Sequence, residues 1–383
     1  MDFKKYLTDN ILPFWLNNAI DNKYGGIFTC LDKNGEIYGT DKSVWFQGRA
    51  LWTFSKAFNY IEKNKIYLDA AKKIYDFLPL CTDSDGRMFF TVTQDGKKIQ
   101  KRRYYFSETF AAIGCAQYYK ATGDKEIWQH AENYFQIAKR CYDHPELNTP
   151  KYHISSKALS PVMIMMSTAR SMAECAPDSE YYETLAKKYA NEVLQGGFLS
   201  DKIPALLENV SPDGKFMDTL TGRTVNPGHS LETAWFLMVE GMLTKNDKAL
   251  DAAKKIIDIT LPLGVDKKYG GIIAFCDALG KPATALEWDM KLWWPQNEAI
   301  IANRMAYEIF GEGKYKKQYE TLLEYAFEHF GDKEHGEWYG YLHYDSTPST
   351  HLKGNIFKGP FHLPRMLMIL HQIDNGNMLD FFR

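Results

Sequence analysis

The 383-residue sequence has no surplus of charge: 46 lysines and arginines stand against 48 aspartates and glutamates. That excludes the footprint of a protein made to bind nucleic acid or an anionic membrane. No apolar run approaches the roughly 18 residues that span a bilayer. The start, Met1-Asp2-Phe3-Lys4-Lys5-Tyr6, lacks the long apolar stretch of a secretory signal. Six cysteines (Cys30, Cys81, Cys115, Cys141, Cys175, Cys276) form no CxxC pair, so no zinc site is expected, and scattered thiols without a secretory signal fit a reducing cytosol. There is no GxxxxGK(S/T) phosphate loop, no GxGxxG followed by a suitable acid, and no HExxH. What the sequence does have is aromatic side chains, 15% of residues with 9 Trp and 24 Tyr, which suit either a thick core or a cleft that stacks sugars.

A repeat is visible at the two ends of the chain. Tyr24-Gly25-Gly26-Ile27 precedes Trp45-Phe46-Gln47-Gly48-Arg49-Ala50, and Tyr269-Gly270-Gly271-Ile272 precedes Trp293-Trp294-Pro295-Gln296-Asn297-Glu298-Ala299. Helical segments poor in lysine and rich in Trp, Phe and Met begin near Phe46, Phe106, Ser160, Gly228, Pro295 and Gly359. Between them lie amphipathic segments near 2–19, 63–80, 124–142, 179–195, 246–261 and 314–330, with charge on one side and Ala, Ile and Leu on the other. The first set is expected inside and the second outside. The arrangement expected is all-α: an (α/α)6 barrel forming one catalytic domain over residues 1–383, with an open helical solenoid as the alternative. The stretches Ile27–Ile37, Met88–Lys98, Gly270–Asp277 and Trp338–Tyr344 read as short hairpins on one rim.

All six inner helices would aim their N-termini at that rim, where unpaired N–H groups favour developing negative charge. Their first turns are polar: Gln47 and Arg49; Ser107 and Glu108; Lys157; Asn226, His229 and Glu232; Gln296 and Glu298; His362 and Arg365. His229 and His362, on the fourth and sixth inner helices, are expected to face each other across a cleft about one sugar wide. Two imidazoles on opposite faces of a carbon acid invert it: one removes the proton and the other returns it. Arg49 would stabilise the enolate oxygen. Glu232, three residues beyond His229, would fix that histidine's tautomer or bind a hydroxyl, and Glu298 would orient His362.

At these motifs the chain resembles the N-acylglucosamine 2-epimerases, also known as renin-binding proteins. The similarity is carried by Val44-Trp45-Phe46-Gln47-Gly48-Arg49, by Asn226-Pro227-Gly228-His229-Ser230-Leu231-Glu232-Thr233-Ala234-Trp235, by Lys291-Leu292-Trp293-Trp294-Pro295-Gln296-Asn297-Glu298-Ala299 and by Phe357-Lys358-Gly359-Pro360-Phe361-His362-Leu363-Pro364-Arg365. The resemblance implies an (α/α)6 barrel, often dimeric, and cofactor-independent interconversion of N-acetylglucosamine and N-acetylmannosamine through the open-chain aldehyde. Carried over by motif, Arg49, His229, Glu232, Glu298 and His362 form the catalytic set and Trp235 and Trp294 the sugar platforms. Gln47, Asn226, Lys157 and Arg365 at the same helix starts complete the expected substrate contacts. Some members place a cysteine two residues before the last motif histidine; here that position is Pro360. Some respond to a nucleotide such as ATP, a property no feature of this sequence decides.

The wider superfamily adds cellobiose 2-epimerases and aldose–ketose isomerases as alternatives, since an enediolate is common to both reactions. Two readings of other classes also follow. An inverting glycoside hydrolase would use Glu232 and Glu298 as its carboxylate pair, and a binding protein without turnover would leave the ionisable set idle.

Overall fold

The computed structural model describes residues 1–101, 104–148, 155–200 and 202–383. Six long helices form the inner layer: α3 (Val44–Tyr60), α5 (Phe106–Thr122), α7 (Leu159–Cys175), α10 (Pro227–Thr244), α12 (Trp293–Phe310) and α14 (His362–Asp374). Each packs on the next, and α14 returns to α3, so the ring closes and the open solenoid is excluded. The fold is an (α/α)6 barrel. The outer layer is α4 (Lys65–Phe77), α6 (Lys125–Asp143), α8 (Glu180–Gln195), α11 (Asp247–Gly264) and α13 (Gly313–His329). Its sixth member is the N-terminal segment, α1 (Phe3–Tyr6) and α2 (Leu12–Asn18) joined by a π turn over Leu7–Ile11. Because α1 packs on α14, the two ends of the chain make the last helical pair.

The division into layers follows from side chains. α10 buries almost every residue from Pro227 to Gly241, whereas α11 alternates buried Ala249, Ala253, Ile256 and Ile257 with exposed charge. Outer helices begin at side-chain caps: Asn64, Asp124 and Asn246 accept from the N–H groups of Ile66, Glu126 and Ala249. Each fully buried large apolar side chain contributes roughly 1.5–3 kcal/mol, and a continuous core runs through both layers.

Short turns join each inner helix to the outer helix that follows, and long loops return to the next inner helix, all on one rim. The Tyr-Gly-Gly repeat is a turn closed by an antiparallel bridge, Ile20 to Ile27 and Val265 to Ile272. Gly26 and Gly271 take φ of +77° and +74°, and a Cβ at Gly271 would lie 2.3 Å from the Tyr325 ring. The same bridge recurs as Thr82–Met88, Leu199–Leu206 and Gly331–Trp338.

The rim follows the hairpins expected from sequence only in part. Among the described residues β2 (Thr91–Val92) and β3 (Lys98–Gln100) pair within one loop, and the Ile27–Ile37 stretch closes on itself through a single antiparallel bridge, Leu31 to Ile37. The others pair between successive loops: β1 (Lys42–Ser43) with β2, β4 (Lys157–Ala158) with β5 (Asn209–Val210), β6 (Thr224–Val225) with β7 (Cys276–Asp277), and β8 (Lys291–Leu292) with β9 (Tyr341–Leu342). β6 follows the short α9 (Leu220–Arg223). Each inner helix except α5 and α14 is thus entered from a strand tied to the neighbouring loop, which fixes where its first turn stands.

Candidate active site

A cavity of about 1490 Å³ opens at the rim and runs down between the inner helices, to a floor that includes Phe381 and Phe382 of the C-terminal tail. Its wall carries Arg49, Lys157, His229, Glu232, Trp235, Trp294, His362 and Arg365. The two histidines pack against one indole: the Trp294 ring centroid is 5.3 Å from that of His229 and 5.7 Å from that of His362.

Each imidazole has Nδ1 committed to a carboxylate. His362 Nδ1 lies 2.8 Å from Glu298 Oε1. The other oxygen of Glu298 accepts from Trp235 Nε1 at 2.8 Å, and Arg365 Nη2 donates to Oε1 at 2.8 Å. His229 Nδ1 lies 3.1 Å from both oxygens of Glu208. With an ionised carboxylate on Nδ1, the proton sits there and Nε2 is left for chemistry. The helix start positions His229 as well: Pro227 opens α10 and the Asn226 side chain accepts from the His229 N–H at 3.1 Å.

The two environments differ in charge. Burial disfavours charge on both rings. At His229 the Glu208 carboxylate outweighs it, with help from Glu232 and Glu298, and holds the pKa above 6.5. At His362 burial is joined by the cations Arg365 and Arg49, and the ring is held well below 6.5, hence neutral.

Arg49 has no carboxylate within 4 Å among the described residues; it is ringed by aromatic faces, Phe110 at 4.0 Å and Phe361 at 4.8 Å. Its Nε is shut from solvent without a partner. Burial pushes its pKa down to about 9, with Glu232 and Glu298 opposing, so it stays charged at neutral pH. A cation so placed is preorganised for an oxyanion.

Single atoms of Glu232, Glu298 and His362 lie within 4.8 Å of one another, close enough for a metal ion. Arg365 Nη2 fills that position, 2.5 Å from Glu232 Oε1 and 2.8 Å from Glu298 Oε1. The same clamp bears on the hydrolase reading: both carboxylates are drawn to one guanidinium, short of the roughly 6.5–9.5 Å an inverting pair needs for its water.

Several expected roles shift. Gln47 is fully buried outside the cavity wall; it accepts from Ile27 N–H at 2.8 Å and donates to the carbonyls of Ile27 and Ser43, bracing the Tyr-Gly-Gly turn. Gln296 does the same for Ile272. Asn226 is a helix cap, not a cavity residue. Glu232 does not fix the His229 tautomer, because Arg365 holds it. Trp235 is 3% exposed, spends its N–H on Glu298 and lies under the Arg365 guanidinium at 5.0 Å, so the open platform is Trp294. Lys157, in β4, lines the cavity with its ammonium over the Phe198 ring. The residue that sequence reading missed is Glu208. It precedes β5 inside Ala205-Leu206-Leu207-Glu208-Asn209-Val210, and a lone acid in that apolar strand-like run was the only signal.

Fold and site together define a helical toroid whose cavity is equipped for acid–base chemistry. The family model described as N-acylglucosamine 2-epimerase matches residues 26–358. The chain is 34% identical over 379 residues to the N-acylglucosamine 2-epimerase of Rattus norvegicus, covering 95% of this chain and 89% of that protein. It is 28% identical over 391 residues to the cellobiose 2-epimerase of Ruminococcus albus, covering 96% and 97%. A solved cellobiose 2-epimerase from Bacillus thermoamylovorans shares the fold, with a TM-score of 0.85 at 20% identity over 97% of this chain and 98% of that one. The chain belongs to the N-acylglucosamine 2-epimerase family, and it is a carbohydrate 2-epimerase.

Proposed function

We propose that residues 1–383 act as one catalytic unit that interconverts N-acetylglucosamine and N-acetylmannosamine in their open-chain form. The C1 aldehyde acidifies C2–H. His362 Nε2 takes the proton from one face, the electron pair moves onto the C1 oxygen, and Arg49 stabilises that oxyanion. His229 then delivers a proton to the opposite face and C2 is inverted. Trp294 supports the sugar between them. The observation that carries this reading is the pair of imidazoles packed on one indole, each with Nδ1 on a carboxylate. Positioned acid–base groups contribute about 10²–10⁴-fold, and an oxyanion donor about 10²–10³-fold.

The scheme needs no cofactor, since base, acid and counter-charge are all side chains. The relatives named N-acylglucosamine 2-epimerase support the substrate. The reading includes a cytosolic setting, supported by six free thiols, and a homodimer, as the family resemblance implies. A second reading is favoured by cavity size: about 1490 Å³ exceeds the roughly 300–1,000 Å³ of most ligand pockets. That space suits a disaccharide, as in the cellobiose 2-epimerases, and the same enediolate would serve an aldose–ketose isomerase.

The test is proton NMR in heavy water with N-acetylmannosamine, N-acetylglucosamine, cellobiose, glucose and mannose. Deuterium entering C2 of the N-acetyl sugars, with loss of exchange in His362→Ala, supports the proposal. Turnover of cellobiose alone selects the second reading, and C2 epimerisation that survives in folded His362→Ala removes the two-histidine scheme.

A further inference from the structure

The two histidines are not held alike. Glu298, behind His362, is shared with Arg365 and Trp235, so its charge is already drawn upon, and Arg365 Nη2 also approaches His362 Nδ1 to 3.3 Å. Arg49 adds a second cation, and Glu232, which opposes them, is itself clamped by Arg365. Glu208, behind His229, is different. Its side chain is 12% exposed, and among the described residues no lysine or arginine lies within 4 Å of it. Both of its oxygens address His229 Nδ1 at 3.1 Å. Glu232 and Glu298 add negative charge that favours the His229 imidazolium, and the titratable ring that faces it across the cavity is His362.

We propose that Glu208 is a positioning residue that holds His229 as the proton donor of the resting enzyme, leaving His362 as the acceptor. This rests on the two-histidine epimerisation above and assigns a direction to it. Glu208 comes from the loop before β5, outside every inner helix. It fixes the ring so that Nε2–H faces the cavity and supplies the counter-charge that keeps the imidazolium at a half-buried position. In one turnover the C2 proton passes to His362 Nε2, the C2–H electron pair becomes the enolate, and the His229 Nε2 proton forms the new C2–H bond. His229 leaves neutral and His362 protonated. Before the next turnover in the same direction, His362 releases its proton to water and His229 takes one up, so the proton inventory closes.

The signs follow from the two environments. Activity that needs imidazolium at His229 is retained above pH 6.5 and falls as pH rises through its elevated pKa. Activity that needs neutral His362 falls only when pH drops well below 6.5. Glu208→Gln keeps size and a hydrogen-bonding oxygen but removes the charge.

The experiment is the pH profile of kcat/KM with wild type, Glu208→Gln and Glu208→Asp, run on N-acetylmannosamine and on N-acetylglucosamine, because the reverse reaction exchanges the two roles and the alkaline limb belongs to the direction in which His362 takes the proton. Glu208→Gln is expected to move the alkaline limb down by about one pH unit or more and to recover activity as pH is lowered, while Glu208→Asp restores the wild-type limb. An unmoved limb, or a loss that is the same at every pH, overturns the proposal. If Glu208→Gln does not fold, histidine NMR titration of the wild type decides: His229 must stay protonated to higher pH than His362, and the reverse order overturns it. Wild-type deuterium entry at C2 reads the epimerisation separately, so exchange with an unmoved limb rejects the role of Glu208 alone.

Discussion

Glu298 holds His362 through a 2.8 Å contact from Oε1 to Nδ1, while its other oxygen and a second contact to Oε1 serve Trp235 and Arg365. All three partners are donors to a carboxylate. Glu298→Gln cannot meet them: whichever way the amide turns, its NH₂ faces either the Trp235 N–H or the Arg365 N–H. The His362 tautomer is then no longer fixed with its lone pair at Nε2. Glu298→Gln is expected to lower kcat about 10²–10⁴-fold with KM nearly unchanged. Steady-state kinetics on folded protein measures this, and a KM effect with normal kcat would show that Glu298 binds sugar and leaves the base alone.

Arg49 is exposed to a different test, because it makes no ion pair among the described residues and sits among aromatic rings. Removing it costs catalysis and little stability. Arg49→Met is expected to lower kcat about 10²–10³-fold, with Tm unchanged or raised, since an unpaired buried charge is relieved. Parallel kinetics and thermal unfolding check it. A large fall in Tm would mean that the guanidinium is a structural strut.

The architecture was legible because inner and outer helices differ in ways that sequence records. Asp69–Ile74 and Asp251–Ile256 carry the alternating pattern of a half-exposed helix, and α10 shows nearly unbroken burial. The candidate site was legible where polar residues fall at a helix start, as with His229 and His362, which the structure brings together in one cavity. The same logic misled at Gln47, because a polar side chain in a first turn looks identical whether it faces the cavity or braces a loop. Glu208 escaped because it lies in no repeated motif: the pairing of β4 with β5 ties its backbone to the start of α7, and only its side chain reaches His229 on α10. The bridged turn at Tyr24–Ile27 is one of five among the described residues, yet only two copies keep Tyr-Gly-Gly, so backbone geometry repeats where letters do not.

Gly228 lies beneath Trp294, and a Cβ there would stand 2.5 Å from the indole Cζ3. Gly228→Ala therefore tilts the platform on which both histidines rest. Overpacking of this kind costs about 1–3 kcal/mol, and the displaced ring disturbs the proton path. A fall in kcat/KM of about tenfold or more is expected, along with a change in the tryptophan fluorescence response to N-acetylmannosamine. Wild-type kinetics in Gly228→Ala would show that the indole has room to shift and that its position is not critical.

The rim carries two matched buried ion pairs, one at each copy of the Tyr-Gly-Gly turn. Lys42 donates to Asp21 at 2.7 Å and to the carbonyls of Gly25 and Gln94; Lys291 donates to Asp266 at 2.7 Å and to the Tyr344 carbonyl. Burial raises the pKa of Asp266, but Lys291 and the N–H groups of Lys268 and Tyr269 more than offset it and hold it below the ordinary value. Stability from this group is therefore present above pH ~4 and lost as pH falls below that. Lys291→Met leaves a buried carboxylate without its cation and is expected to cost about 3 kcal/mol at pH 7. The deficit should shrink near pH 4, where the orphaned Asp266 takes up a proton, and Lys291→Met with Asp266→Leu should recover most of it at pH 7. Denaturant unfolding of the single and double variants at both pH values measures this. A deficit equal at pH 7 and pH 4 would mean that Lys291 stabilises the turn through its carbonyl contact and its packing, with no contribution from charge.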